Sequence, residues 1–155
     1  MARFRRYRRY YRKGKYNIEN RPLSFSGGTI QNSFYQNQVN IVPASTTEGV
    51  RQVARMTISL TATNSNADAL PFFWAIVYIP EGATTSGLFP NSTTLFEPSN
   101  YVLASGVSDP NAGPIRISSR LRKNLNAGDQ IYLYTASTQS APTYTGLVRY
   151  AIKYN

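Results

Sequence analysis

The chain has 155 residues, no cysteine and no histidine, and 17 Lys plus Arg against 7 Asp plus Glu, a formal charge of +10. One domain of this length buries a sizeable core without metals or disulfides. The missing residue types exclude disulfides, thiolate sites, Ser-His-Asp and Cys-His triads and the usual zinc sites, so no enzyme activity or cofactor is expected and no metal ligand is singled out, with carboxylates that meet at a subunit interface left open.

The charge is concentrated at the start. Residues 1–16, MARFRRYRRYYRKGKY, hold Arg3, Arg5, Arg6, Arg8, Arg9, Arg12, Lys13 and Lys15 and no acid, which is +8 of the total and leaves +2 for residues 17–155. No core absorbs so many like charges, so this arm is expected to be disordered in the free protein and to meet a polyanion. Tyr7, Tyr10, Tyr11 and Tyr16 are threaded between the cations. Arginine grips phosphate with a planar fork of donors, and a tyrosine face stacks unpaired bases. The interleaving therefore leans toward single strands, with Arg3, Arg5, Arg6, Tyr7, Arg8, Arg9, Tyr10, Tyr11, Arg12, Lys13 and Lys15 as the candidate contacts. A solubilising tail and a transit peptide are the alternatives. No apolar run reaches the roughly 18 residues that a membrane-crossing helix requires, and no apolar segment follows the arm's charges as in a secretory signal, so membrane insertion is not expected.

Residues 17–28, NIENRPLSFSGG, read as a linker, because Pro22 and Gly27-Gly28 interrupt regular structure. Thr29–Val42 predicts one long or two short strands. In Arg51–Thr63, Ala54, Met56, Ile58, Leu60 and Ala62 alternate with polar residues, the period of a half-buried strand. Leu70–Ile79, LPFFWAIVYI, suits a strand covered on both faces. Glu81–Asn100 is a long loop in which Phe89 and Phe96 are interface anchors or plugs for the end of the core.

Tyr101–Val107, Ile115–Arg122, Ile131–Ala136 and Thr145–Tyr154 complete about eight short strands, with no convincing helical periodicity. The predicted fold is all-β, an eight-stranded jelly-roll sandwich over residues 29–155. A second basic set falls in this body. Arg116, Arg120, Arg122 and Lys123 lie along one strand and its turn, and Arg149 and Lys153 share one side of the last strand. These are either a secondary nucleic-acid face or solvated cations, including ones that pair with Glu81, Glu97 or Asp109 across a subunit interface.

The arm RFRRYRRYYRKGKY, with VRQVARMTISLTATNSNADALPFFWAIVYIPEG and YVLASGVSDPNAGPIRISSRLRKNLNAGDQIYLYTAS, resembles the capsid proteins of circovirus-like viruses with circular single-stranded DNA genomes (CRESS-DNA viruses). The stretch LNAGDQIYL is similar to a turn found in many jelly rolls. The resemblance implies a self-assembling homo-oligomeric shell of about 60 copies, a T=1 icosahedral capsid. It further implies inward-pointing arms that package the viral single-stranded DNA and double as a nuclear localisation signal read by host import machinery. Such a protein would reside in the virion and, during assembly, in the host cell nucleus. From the residues alone, an RNA-virus capsid and a cellular nucleic-acid-binding β-sandwich with a basic tail stay open beside it.

Overall fold

The computed structural model describes residues 15–154 apart from 27, 32–33, 48, 63–71, 84–100 and 138–142. Along the chain run β1 (Asn17–Phe25), β2 (Thr29–Gln31), β3 (Phe34–Val42), β4 (Arg51–Ala62) and β5 (Phe72–Ile79). After the long loop follow β6 (Val102–Ser108), a 3₁₀ turn at Pro110–Ala112, β7 (Ile115–Leu125), β8 (Gln130–Ser137) and β9 (Tyr144–Tyr154).

All pairings are antiparallel. They build a four-stranded sheet in the order β1-β9-β4-β7 and a five-stranded sheet in the order β2-β3-β8-β5-β6. With the short β2 set aside, two sheets of four strands face one another, and the chain passes repeatedly from one to the other. This is the jelly-roll topology.

Alternation is what makes the sandwich. Met56, Ile58 and Leu60 of β4, Ile115 and Ile117 of β7, and Val148, Tyr150 and Ile152 of β9 all turn to the inside of their sheet. There they meet Ile41 and Val42 of β3, Ile76 of β5 and Leu133 of β8 in one apolar cluster. β5 is covered on both faces at Ile76, Val77 and Ile79, as its composition predicts, while Phe73 at its start is 39% exposed. Trp74, Ile76 and Tyr78 join the main cluster, while Val77 and Ile79 pack with Tyr134 in a second, smaller one.

One segment departs from its reading. Residues 17–25, taken as part of a linker, form β1, paired with β9 over its whole length from Asn17↔Ile152 to Phe25↔Tyr144. Proline reads as a strand breaker because it has no N–H to give the ladder. Here β1 is the outermost strand, so a proline in it is tolerated where a central strand would lose a bond. Leu23 is buried beside Pro22 and carries the strand onto the core.

One end of the sandwich is tied by Asp129, which is only 3% exposed. Its carboxylate accepts from the Tyr78 hydroxyl (3.0 Å), the Glu81 backbone N–H (3.1 Å) and the Asn126 backbone N–H (2.7 Å). Gly128 beside it takes φ +83°, a left-handed turn that other side chains rarely adopt, and donates its N–H to the Ser45 carbonyl. Arg51 is buried in the same knot and donates to the carbonyls of Pro43 (3.0 Å) and Asp129 (3.1 Å). Three loops are thus held by one carboxylate and one guanidinium.

Two outcomes follow for stability. Asp129→Ala strands three donors, and denaturant unfolding should show a loss of about 2–4 kcal/mol; Asp129→Asn, which keeps one acceptor, should lose less. The buried phenols set the alkaline limit. Burial pushes Tyr144 up from 10.0 to about 12. Tyr78 is raised to about 12 by burial first and then by its hydrogen bond to Asp129. Burial, followed by the Glu19 carboxylate, raises Tyr150 as well. A phenol whose folded pKa is raised contributes stability that is complete below the unfolded value and is lost as pH climbs toward the folded one. The unfolding midpoint should be flat from about pH 7 to 9 and fall between about pH 10 and 12, with tyrosinate absorbance rising as the fold is lost.

Candidate nucleic-acid interface

The strands of the two sheets differ completely in charge. No charged residue occurs in β2, β3, β5, β6 or β8. The nine cations of residues 17–155 are Arg21, Arg51, Arg55, Arg116, Arg120, Arg122, Lys123, Arg149 and Lys153, and every one lies in β1, β4, β7 or β9.

Within the four-stranded sheet the face decides their surroundings. Arg21 and Arg51 turn inward, Arg21 to the Ile41 carbonyl at 3.4 Å and Arg51 into the knot. Lys123, one of the predicted secondary residues, is also drawn off the outer face. Its ammonium sits 3.9 Å from the centre of the Tyr78 ring, a cation–π contact at the knotted end. It stands at an odd position of β7, in phase with buried Ile115, Ile117 and Leu125, whereas Arg116, Arg120 and Arg122 stand at the exposed even ones.

The other predicted cations share the outer face. Pairing sets Arg116 beside Ser59, Arg122 beside Ala54, Arg149 beside Thr57 and Asn20, and Lys153 beside Gln52. Arg55 is the sixth member, and it was not singled out from the sequence. The only carboxylate in these four strands, Glu19, is paired with buried Tyr150 and accepts its hydroxyl at 2.7 Å on the core side. Among the described residues, the outer face of these four strands therefore holds six cations and no acid.

Arg55 owes its place to a bulge. Between β4 and β7 the register moves from Ala54↔Arg122 to Met56↔Ser119, so Arg55 opposes both Arg120 and Leu121. Against β9 the same point of β4 carries one residue too many, between Ala54↔Ala151 and Thr57↔Arg149. Among the described residues Arg55 is the only non-glycine with positive φ, at 54°. That left-handed conformation costs an L-residue about 1–2 kcal/mol, and bulges re-aim side chains. Here the bulge aims a guanidinium outward at the arginine row of β7.

Beside the bulge the surface sinks into a groove of about 720 Å³, lined by Arg55, Arg120 and Arg122, by Ala54, Met56 and Ala151, and by Tyr16 and Ile18. Tyr16 belongs to the aromatic–cationic arm of the sequence, yet it is docked on the body: its hydroxyl donates to Gln52 Oε1 of β4, across the intervening β9. Lys15 is exposed. The remaining predicted arm contacts, Arg3, Arg5, Arg6, Tyr7, Arg8, Arg9, Tyr10, Tyr11, Arg12 and Lys13, lie outside the described residues, as do Phe89 and Phe96. Where the arm meets the body, it meets the acid-free face.

Because its strain is local, Arg55→Gly should leave the sandwich intact and raise the unfolding free energy by up to about 1 kcal/mol, the left-handed penalty less the entropy that glycine loses on folding. Denaturant titration beside the parent chain measures it.

Comparison with protein-family models and with curated proteins finds no match. Among the solved structures that the chain matches is one titled Desmodium yellow mottle tymovirus, at 12% identity and a TM-score of 0.34, with 91% of this chain and 90% of that chain covered. That likeness is too slight to assign a family.

Proposed function

We propose that the chain is a viral capsid subunit that assembles into a closed shell and packages single-stranded nucleic acid on its basic arm. The observation that carries this reading is the partition of charge: a jelly roll with one uncharged sheet, one acid-free cationic face, and an Arg/Tyr arm rooted on that face. Jelly rolls serve lectins and cupins as well as capsids, so the fold alone selects no function. A sugar-binding or enzymatic jelly roll has no use for a polycationic arm of this density. A shell has, because many weak phosphate contacts add up only when many subunits act on one strand.

The finer reading is a T=1 shell of about 60 copies around circular single-stranded DNA, following the resemblance to circovirus-like capsid proteins, with the arm also engaging nuclear import receptors. In such a shell, eight arm charges and six face charges per copy bring roughly 840 positive charges to the interior. A genome of a couple of thousand nucleotides carries more negative charge than that, so small cations would make up the difference.

Expressed alone, the chain should form particles of uniform size in sedimentation and negative-stain microscopy; a monomer across a range of salt and pH would overturn the reading. Deleting residues 1–15, which leaves Tyr16 in place, should lower the 260/280 nm absorbance ratio of purified particles sharply. Nuclease sensitivity of nucleic acid from authentic virions, DNase against RNase, decides between the DNA reading and an RNA genome.

A further inference from the structure

We infer that the groove at the β4 bulge is a seat for one stretch of single-stranded nucleic acid, with Arg55, Arg120 and Arg122 each holding one backbone phosphate of the strand and the Tyr16 ring offered to an adjoining base. This deepens the packaging reading and rests on it, but it places a defined contact on the folded body.

Four observations converge. The three guanidiniums line one depression and no acid shares their face. Arg55 reaches that position through a left-handed backbone that glycine or asparagine would adopt more readily, so the local fold does not call for a cation there. The exposed side chain of Ile18, over a floor that includes Ala54 and Ala151, gives the groove an apolar patch that suits the flat face of a sugar or base beside the charged rim. Tyr16 is held by its hydroxyl to Gln52, so its ring is positioned before any ligand arrives.

The chemistry selects the ligand. Guanidinium forks match phosphate oxygens in two-pronged contacts, and a row of three suits the repeated phosphates of a strand. A groove that pairs phosphate donors with an aromatic face fits a strand whose bases are free, since duplex bases are already stacked. With the arginines on phosphates, the remaining polar lining is Thr57, Ser118 and Ser119, whose hydroxyls serve any base, so binding should show little preference for sequence.

The test uses the full chain with oligothymidylate of about 20 nucleotides, some positions carrying photoreactive 4-thiothymidine, and the variant R55G/R120S/R122S. Cross-links mapped by mass spectrometry should fall on Tyr16 and on the β4 and β7 peptides around Arg55 and Arg120, as well as on the arm. In the variant the body cross-links should vanish while those on the arm persist. The slope of log affinity against log salt should drop by about 2, at about 0.7 per phosphate contact in a single strand. Arg55→Gly alone should lower it by about 0.7, in a chain that folds at least as stably.

Cross-links confined to residues 1–15, or an unchanged salt slope in the variant, would overturn the groove and leave packaging by the arm intact. Protection of the body sites by inorganic pyrophosphate at equal phosphate concentration would overturn it in favour of a small-anion site. Absence of oligonucleotide binding by the parent chain at low salt would overturn the packaging reading and the groove together.

Discussion

β4 lies between β9 and β7, and its side chains change faces once, at Arg55. Before that point Arg51 and Val53 face the core; after it Met56, Ile58 and Leu60 do. Odd positions give way to even ones, which strict alternation forbids. Without the extra residue, either the three large apolar side chains or the Arg51–Val53 pair would be turned to water. Leaving Met56, Ile58 and Leu60 exposed would forfeit roughly 1.5–3 kcal/mol each, several times the cost of one left-handed residue. The bulge is therefore the cheaper solution. It also links the two ends of the strand: the turn that sends Arg55 outward leaves Arg51 pointing in, where it completes the knot with Asp129.

The uncharged sheet and the cationic sheet follow different rules. Strands in a sheet stand about 4.8 Å apart, well inside the roughly 8 Å over which physiological salt screens charge. Cations on adjoining strands of the outer face thus repel one another, with no carboxylate among them to offset it. The inward cations are treated otherwise: Arg21 and Arg51 donate to carbonyls, and Lys123 lies over an aromatic ring. Each inward cation has a partner in the fold, whereas the outer strand positions carry cations with no carboxylate among them. A polyanion is the one class of ligand that would relieve the whole outer face at once.

Most strands could be read from the chain because their alternation is local. Ile115, Ile117 and Leu121 announce β7, and the unbroken apolar run through Trp74 and Tyr78 announces a strand covered on both sides. β1 was hidden by Pro22, since nothing local shows that it will be an edge strand. Arg55 was hidden for a subtler reason. The series Ala54, Met56, Ile58 looks regular, and the shift of face shows only in the pairing with β7 and β9, whose partners lie some 60 to 100 residues downstream. Lys123 was misplaced because adjacency in sequence to Arg122 puts it on the opposite face of a strand, the same period-two rule that correctly joins Arg149 to Lys153. Asp129 could be seen as a turn residue, but its three donors come from β5, the loop after it and its own turn, and only the folded chain assembles them.

The docking of Tyr16 changes what the arm does. A tail leaving from the free edge of β1 would sample all directions around the sandwich. Through Tyr16 and Gln52, across β9, the arm instead joins the body on the cationic face. The 15 residues before Tyr16, even fully extended, reach at most roughly 50 Å, so their charges stay within that radius of the face. On the packaging proposal, a strand touched by one set would be presented to the other at high effective concentration, and two weak, salt-dependent contacts would become one stronger one without any new bond. What ties the two is a single tyrosine hydroxyl: on the packaging proposal, a polyanion caught by the arm would be brought to the outer face of strands that carry no outward carboxylate.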